Sequence, residues 1–207
     1  MTSAGTAALD VADWRRQVFA LYERVRATPD LAEGHTLWRH ERDRLFAQHP
    51  STPVMEADLP SFAGLPVELY DPAWRFEVEI EEAEPAHFDF ETGTDGVVPF
   101  DRLGIVEVPG VGSLDVWRLT SYGGGIFVPV RDALAGRHGG TYGGGRYLID
   151  SIKGALLQST ATSLVLDFNF AYNPSCAYDP AWACPLAPPG NRVTTEIPVG
   201  ERYFGSH

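Results

Sequence analysis

The stretch DFNFAYNPSCAYDPAWACPLAPPGNR, residues 167–192, gathers more chemistry-bearing side chains than any other part of this 207-residue chain. Its start reads as extended. Leu164, Leu166, Phe168 and Phe170 alternate with Val165, Asp167, Asn169 and Ala171. Asp167 and Asn169 then share one side of a strand, roughly 7 Å apart. On a pocket wall, Asp167 is the candidate acid–base group. Asn169, Tyr172 and Asn173 are the candidate hydrogen-bonding set around it. On a closed face the same Asp167 is a structural carboxylate, paired with an arginine or with backbone N–H groups.

The two cysteines of this stretch, Cys176 and Cys184, enclose seven residues and form no C-x-x-C motif. Zinc held by this pair would need two distant ligands. A nucleophilic cysteine needs a base, and no histidine lies in the segment. Structural thiols, or a disulfide closing the loop, fit better. Pro174, Pro180, Pro185, Pro188 and Pro189 fix φ and remove N–H donors. The segment therefore reads as a stiff clasp, anchored by Tyr172, Tyr178 and Trp182.

Two other stretches could carry chemistry. In TYGGGRYL, residues 141–148, three glycines let the backbone turn sharply or approach a ligand, with Tyr142 and Arg146 beside them. Loop N–H groups and the Arg146 guanidinium would suit an anion. Neither a P-loop nor a dinucleotide fingerprint is present. The alternative is a hairpin or bulge in which Arg146 pairs with an acid. In HFDFE, His87, Asp89 and Glu91 share one face of a strand, a legitimate but incomplete ligand set. No second histidine motif completes it, so a polar solvent face is the simpler reading and no metal is assigned.

These residues need elements to position them. Trp14, Val18, Leu21 and Val25 recur at helical spacing over residues 10–26, with Asp10 as cap. Leu37, Trp38, Glu41, Leu45 and Phe46 predict a second helix over 31–48, which HPSTPV ends. His35 and His40, five apart, fall on different faces of it. Beyond residue 65 the period changes to two. RFEVEI and HFDFE alternate strictly, and further strands are expected near 97–108, 114–119, 125–130, 145–150, 163–170 and 193–198. Glycine-rich turns separate them. The expected fold is α+β, mainly β: two N-terminal helices, residues 1–48, packed on an antiparallel β-barrel-like body, residues 49–207, as one compact unit.

Composition narrows the partners. The formal net charge is -12 and the sequence pI about 4.8. Such a surface repels phosphate backbones and anionic membranes, so neither nucleic acid nor membrane is expected. Lys153 is the single lysine among sixteen basic residues, the bias of a GC-rich genome, and an actinobacterial source is expected. The N-terminus lacks the charged and apolar regions of a signal peptide, and no stretch has the apolar length of a membrane span. The expected location is the cytoplasm, with reduced thiols.

Several strings, in order, resemble one family. They are WRHERDRLF, FAGL before YDPAWRF, FVPVRDALAG, TYGGGRYL, the 167–192 stretch and VGER. Together they resemble domain-of-unknown-function family 1684 of bacteria and archaea, from about residue 38 to residue 202. Asp132, Gly136, Thr141, Tyr142, Gly145, Arg146, Tyr147 and Leu148 match the family pattern, whereas Leu134 replaces its threonine and its glutamate before Thr-Tyr is missing. The resemblance implies no established activity, cofactor or catalytic residue, so the cofactor stays unknown.

The leading reading is a β-barrel pocket for a small anionic molecule, open to an enzymatic role. Arg146, Tyr142, Asp167, Asn169, Tyr172 and Asn173 would line it, under the proline-rich clasp. The alternative is a structural or interaction module in which Arg146, Asp167, Asn169 and Asn173 form a buried network and the helices make a homodimer contact. A flavin-binding barrel is a third reading, on fold analogy alone.

Overall fold

The computed structural model describes residues 3–92, 96–203 and 205. Among the described residues, two helices, α1 (Ser3–Ala27) and α2 (Leu31–Gln48), precede seven strands. These are β1 (Arg75–Glu79), β2 (His87–Thr92), β3 (Gly96–Val108), β4 (Gly112–Leu119), β5 (Ile126–Val130), β6 (Arg146–Asp150) and β7 (Ser163–Asp167). Asp30 caps α2 by accepting from the Glu33 N–H. Asp10 lies inside α1, which starts before it, so it caps nothing. No helix among the described residues is long and apolar enough to cross a membrane.

The strands form a five-stranded antiparallel sheet, ordered β2-β3-β4-β5-β6, and an antiparallel β1-β7 pair. Short bridges join the two at both margins: Glu81 with Ile105, and Tyr147 with Tyr172. The result is barrel-like without a continuous closing ladder. One margin depends on a glycine. A Cβ on Gly104, at the β3 bulge, would stand 2.3 Å from the Glu81 carbonyl oxygen, so only glycine permits that bridge.

Two expected strands come out differently. The chain is extended only to Asp167, and Phe168–Phe170 then wind into a tight 3-10 turn. The region 193–198 forms no ladder. Its backbone is tied singly instead: Val193 N–H donates to Arg131 O, Thr195 O accepts from Ala133 N–H, and Ile197 O accepts from the Arg146 side chain.

The core is continuous between the sheets, with Val106, Leu114, Val116, Val128, Ile149, Leu164, Leu166 and Ile197 enclosed. A second cluster seats the helices. Leu21, Val25, Trp38, Leu45 and Phe46 pack against Leu65, Val67 and Phe170, burying the apolar stripes that the spacing predicts. His35 is buried there and His40 is exposed.

A charge sits within this joint. Arg42 of α2 donates from Nη2 to the Glu201 carboxylate at 2.7 Å, and Glu201 is 0% exposed. The guanidinium lies 4.8, 5.0 and 4.9 Å from the ring centres of Trp38, Phe46 and Tyr172. Asn173 completes the cage, donating its backbone N–H at 3.1 Å and its side-chain Nδ2 at 3.2 Å to the same carboxylate. Burial pushes the Glu201 carboxyl up, while Arg42 and the Asn173 N–H oppose that shift.

Arg42→Met is expected to destabilise the fold by about 3–5 kcal/mol, because it strands a buried carboxylate. Adding Glu201→Gln to that variant should recover part of the loss. Urea denaturation of both variants checks this, and equal stabilities would contradict it.

Candidate functional site

Arg146 is 0% exposed. It donates from Nη1 to the carbonyls of Val199 at 2.5 Å and Glu201 at 3.3 Å, and from Nη2 to Ile197 O at 3.3 Å. Asp132 Oδ2 stands 3.6 Å from Nη2 and accepts the Ile197 N–H at 3.0 Å. The Thr141 hydroxyl donates to the other Asp132 oxygen. Arg146, Asp132 and Thr141 thus clamp the C-terminal segment 197–201, with the guanidinium turned to protein carbonyls. The glycines before Arg146 serve packing: a Cβ on Gly144 would meet Leu186 at 2.8 Å, and Gly145 has φ +93°.

Asp167 and Asn169 do come together, through a turn rather than across a strand face. Asp167 Oδ1 accepts the Asn169 backbone N–H at 3.1 Å and Asn169 Nδ2 at 2.8 Å. Asn169 also exchanges hydrogen bonds with the Asp71 backbone, each 2.8 Å. Its carbonyl accepts from His35 Nε2 at 3.0 Å, which places the proton of that ring on Nε2. The pair therefore ties β7 to residue 71 and to α2. Arg75 Nε, 3.8 Å away, and the Tyr70 hydroxyl, 3.4 Å away, face Asp167 Oδ2, beside a cavity of about 180 Å³.

His87 is held by two carboxylates, Asp101 at 2.7 Å and Asp89 at 3.0 Å, and they raise its pKa. Both ring nitrogens are thereby engaged in ion pairing on an exposed face. The Glu91 side chain lies outside the described residues. No group of three potential ligands that could hold a metal occurs among those described.

Cys176 and Cys184 are free thiols on the clasp. The clasp is fastened by the Tyr147 hydroxyl, which donates to Pro185 O at 2.6 Å, and by the Ala187 N–H to Gly144 O at 3.1 Å. Tyr172 and Tyr178 anchor it in the helical cluster. Trp182 is 39% exposed and is no anchor.

Three of the polar groups left over by these ties belong to residues of one cleft. Five buried side-chain polar atoms have no hydrogen-bond partner among the described residues: Arg42 Nε, Arg146 Nε, Asn173 Oδ1, Tyr178 OH and Tyr203 OH. Asn173, Tyr178 and Tyr203 all line a single cleft of about 340 Å³. Its walls come from residues 54–66, the start of the clasp and the C-terminal segment, with Val54, Phe62, Leu65 and Ala177 as apolar lining. The orientation of the Asn173 amide is fixed, because Nδ2 donates to Glu201 and to Arg202 O at 2.9 Å. Oδ1 is thus left as the unpaired acceptor. Arg202, also in the wall, pairs with Glu68 at 2.9 Å through Nε. Tyr203 further separates this cleft from one of about 590 Å³ that Tyr142 lines, their rings 5.1 Å apart.

Sequence reasoning singled out Asn173, and Tyr178 only as an anchor. Arg42, Glu201, Arg202 and Tyr203 were missed as site residues. The VGER string was the one signal at hand, and it marked family rather than chemistry.

The burial of Asp167 has a pH signature. Desolvation pushes its carboxyl up from 3.8 to about 6, against the opposing bonds from Asn169. Between those values the folded state holds a proton that the unfolded state has released, so this group's contribution to stability falls as pH rises. His35 acts oppositely: desolvation lowers it from 6.5 to about 4, so stability rises with pH through that window. Asp167→Asn removes the first effect and keeps the second. The stability difference between variant and parent is expected to shift in the variant's favour by up to about 3 kcal/mol from pH ~3 to ~7. Urea titrations across that range check it, and parallel profiles would contradict it.

A family model described as "Protein of unknown function (DUF1684)" matches residues 60–202, a span that starts after both helices. The solution NMR structure of an uncharacterized protein from Haloarcula marismortui is similar, at 32% identity and a TM-score of 0.58. The likeness covers 82% of this chain and 92% of that one. No curated protein matches the chain.

Proposed function

We propose, for a chain that belongs to the DUF1684 family of proteins of unknown function, that it binds a small organic anion in the 340 Å³ cleft between residues 54–66, the clasp and Arg202, Tyr203 and Gly205. The observation that carries this reading is the convergence of three unpaired polar groups, Asn173 Oδ1, Tyr178 OH and Tyr203 OH, on residues of one wall. A buried polar atom without a partner costs about 1–3 kcal/mol. The three atoms are closed to solvent, but all belong to residues of one cleft, and a ligand that draws them toward it would relieve the pattern.

The chemistry of the lining describes the ligand. Two tyrosine hydroxyls can donate to a carboxylate or phosphate; Arg202, also paired with Glu68, supplies the positive charge of a lining that includes Asp58. The Asn173 oxygen requires a donor on the ligand, a hydroxyl or an amine. Val54, Phe62, Leu65 and Ala177 suit an apolar body. The expected class is a hydroxy- or amino-bearing organic acid. The anionic preference thus rests on Arg202, while Arg146 serves the fold. A purely structural role is supported by the ties of Arg146, Asp167 and Asn169. It leaves the three unpaired groups without an explanation.

Tyr203→Phe and Tyr178→Phe discriminate the readings. Without ligand, each variant is expected to be as stable as the parent or slightly more so, since an unpaired hydroxyl is removed. A thermal-shift screen of small hydroxy and amino acids and their phosphates should yield a stabilising compound. Its affinity should fall about tenfold or more in each variant. A screen without any stabilising compound, or one whose hits bind the variants unchanged, would overturn the proposal.

A further inference from the structure

The clasp brings its two cysteines together. Cys176 sits on a 3-10 turn, Ser175–Ala177, and its backbone N–H donates to Cys184 Sγ at 3.3 Å. Both thiols are free and only partly buried. Pro180 stiffens the intervening chain, and the Tyr147 hydroxyl holds the carbonyl of Pro185, the residue after Cys184. The surroundings of the two sulfurs differ. Cys184 receives the Cys176 N–H, whereas Cys176 Sγ has the Tyr142 hydroxyl at 3.8 Å.

We propose that Cys176 and Cys184 form a thiol–disulfide exchange site, with Cys184 as the attacking thiolate and Cys176 as the resolving thiol. The proposal stands apart from the ligand cleft, because neither sulfur lines it.

The division of labour follows from the contacts. The Cys176 backbone N–H, 3.3 Å from Cys184 Sγ, the Ser175 N–H and the charge of Lys153 favour a thiolate at Cys184, against its partial burial. The Cys176 sulfur has no such donor set, with only the Tyr142 hydroxyl 3.8 Å away, and its partial burial favours the neutral thiol. A sulfur set among thiolate-favouring donors, next to a second free thiol of the same loop, is the arrangement that exchange requires.

The step balances with a small-molecule disulfide as oxidant. The Cys184 thiolate attacks one sulfur of that disulfide, breaking its S–S bond and releasing one thiolate. Cys176 gives its proton to that thiolate and attacks the Cys184 sulfur. The Cys176–Cys184 bond forms and the second small thiolate leaves. Two protein thiols are oxidised to one disulfide, and one small disulfide is reduced to two thiols.

Oxidised glutathione is a suitable probe for the native, full-length protein. Peptide mapping after incubation should show an intramolecular Cys176–Cys184 disulfide. In Cys176→Ser the reaction should stop at a glutathione adduct on Cys184. Reduced wild-type protein needs no variant: iodoacetamide near neutral pH should label Cys184 at least about tenfold faster than Cys176. Equal labelling rates, or no intramolecular disulfide in glutathione buffers that oxidise an unstructured peptide spanning residues 173–188, would overturn the assignment.

Discussion

Glu201 is a carboxylate with no exposure to solvent, and the architecture around it follows from the need to satisfy it. Its partners come from three parts of the chain. Arg42 belongs to the helical hairpin, and Asn173 begins the clasp. The Glu201 backbone N–H donates to Ala171 O at 2.8 Å, beyond the end of β7. A charge pair of this kind gives little net stability by itself, but breaking it is costly. Its effect is therefore to fix how the helices, clasp and C-terminal segment sit together. The 340 Å³ cleft lies at that junction, and Asn173 belongs to both.

The same logic recurs where strand ladders run out. Asn169 bridges α2, residue 71 and Asp167 with all its amide atoms engaged. Asn191 takes the Trp117 N–H and donates to the carbonyls of Asp115 and Pro129. Arg146 collects three carbonyls of the segment 197–201. Buried backbone groups must be paired, and proline-rich chain offers few donors for doing so through a ladder. Long-range side-chain ties replace the ladder, which explains why polar residues concentrate in the sequence there. The three groups that this scheme leaves unpaired on the cleft wall are set apart by that contrast.

Much of the frame is legible in the sequence because burial imposes a period. Trp38, Leu45 and Phe46 mark one face of α2, and the alternation in RFEVEI marks β1. The turn at Phe168–Phe170 escapes because Phe168 and Phe170 are buried in it, so the apolar alternation continues past the true end of the strand. The Arg42–Glu201 pair escapes for a different reason. Its members are 159 residues apart, and neither is unusual in its own surroundings. The residues of the cleft share that difficulty: Tyr203 follows a short string of common residue types, and nothing local shows that its hydroxyl lacks a partner. Asp167, Asn169 and Arg146 stood out by type, and type alone does not say whether a polar side chain faces a cavity or the backbone.

The central claim concerns what completes Asn173 Oδ1, Tyr178 OH and Tyr203 OH. A high-resolution crystal structure of the protein purified without refolding, from its source or a close host, tests it most directly. The account predicts density for an organic molecule in the cleft, hydrogen-bonded to at least two of these atoms, with its anionic end toward Arg202. Bonds from those atoms to protein groups or to water alone, in crystals soaked with the best-binding organic acids, would contradict it.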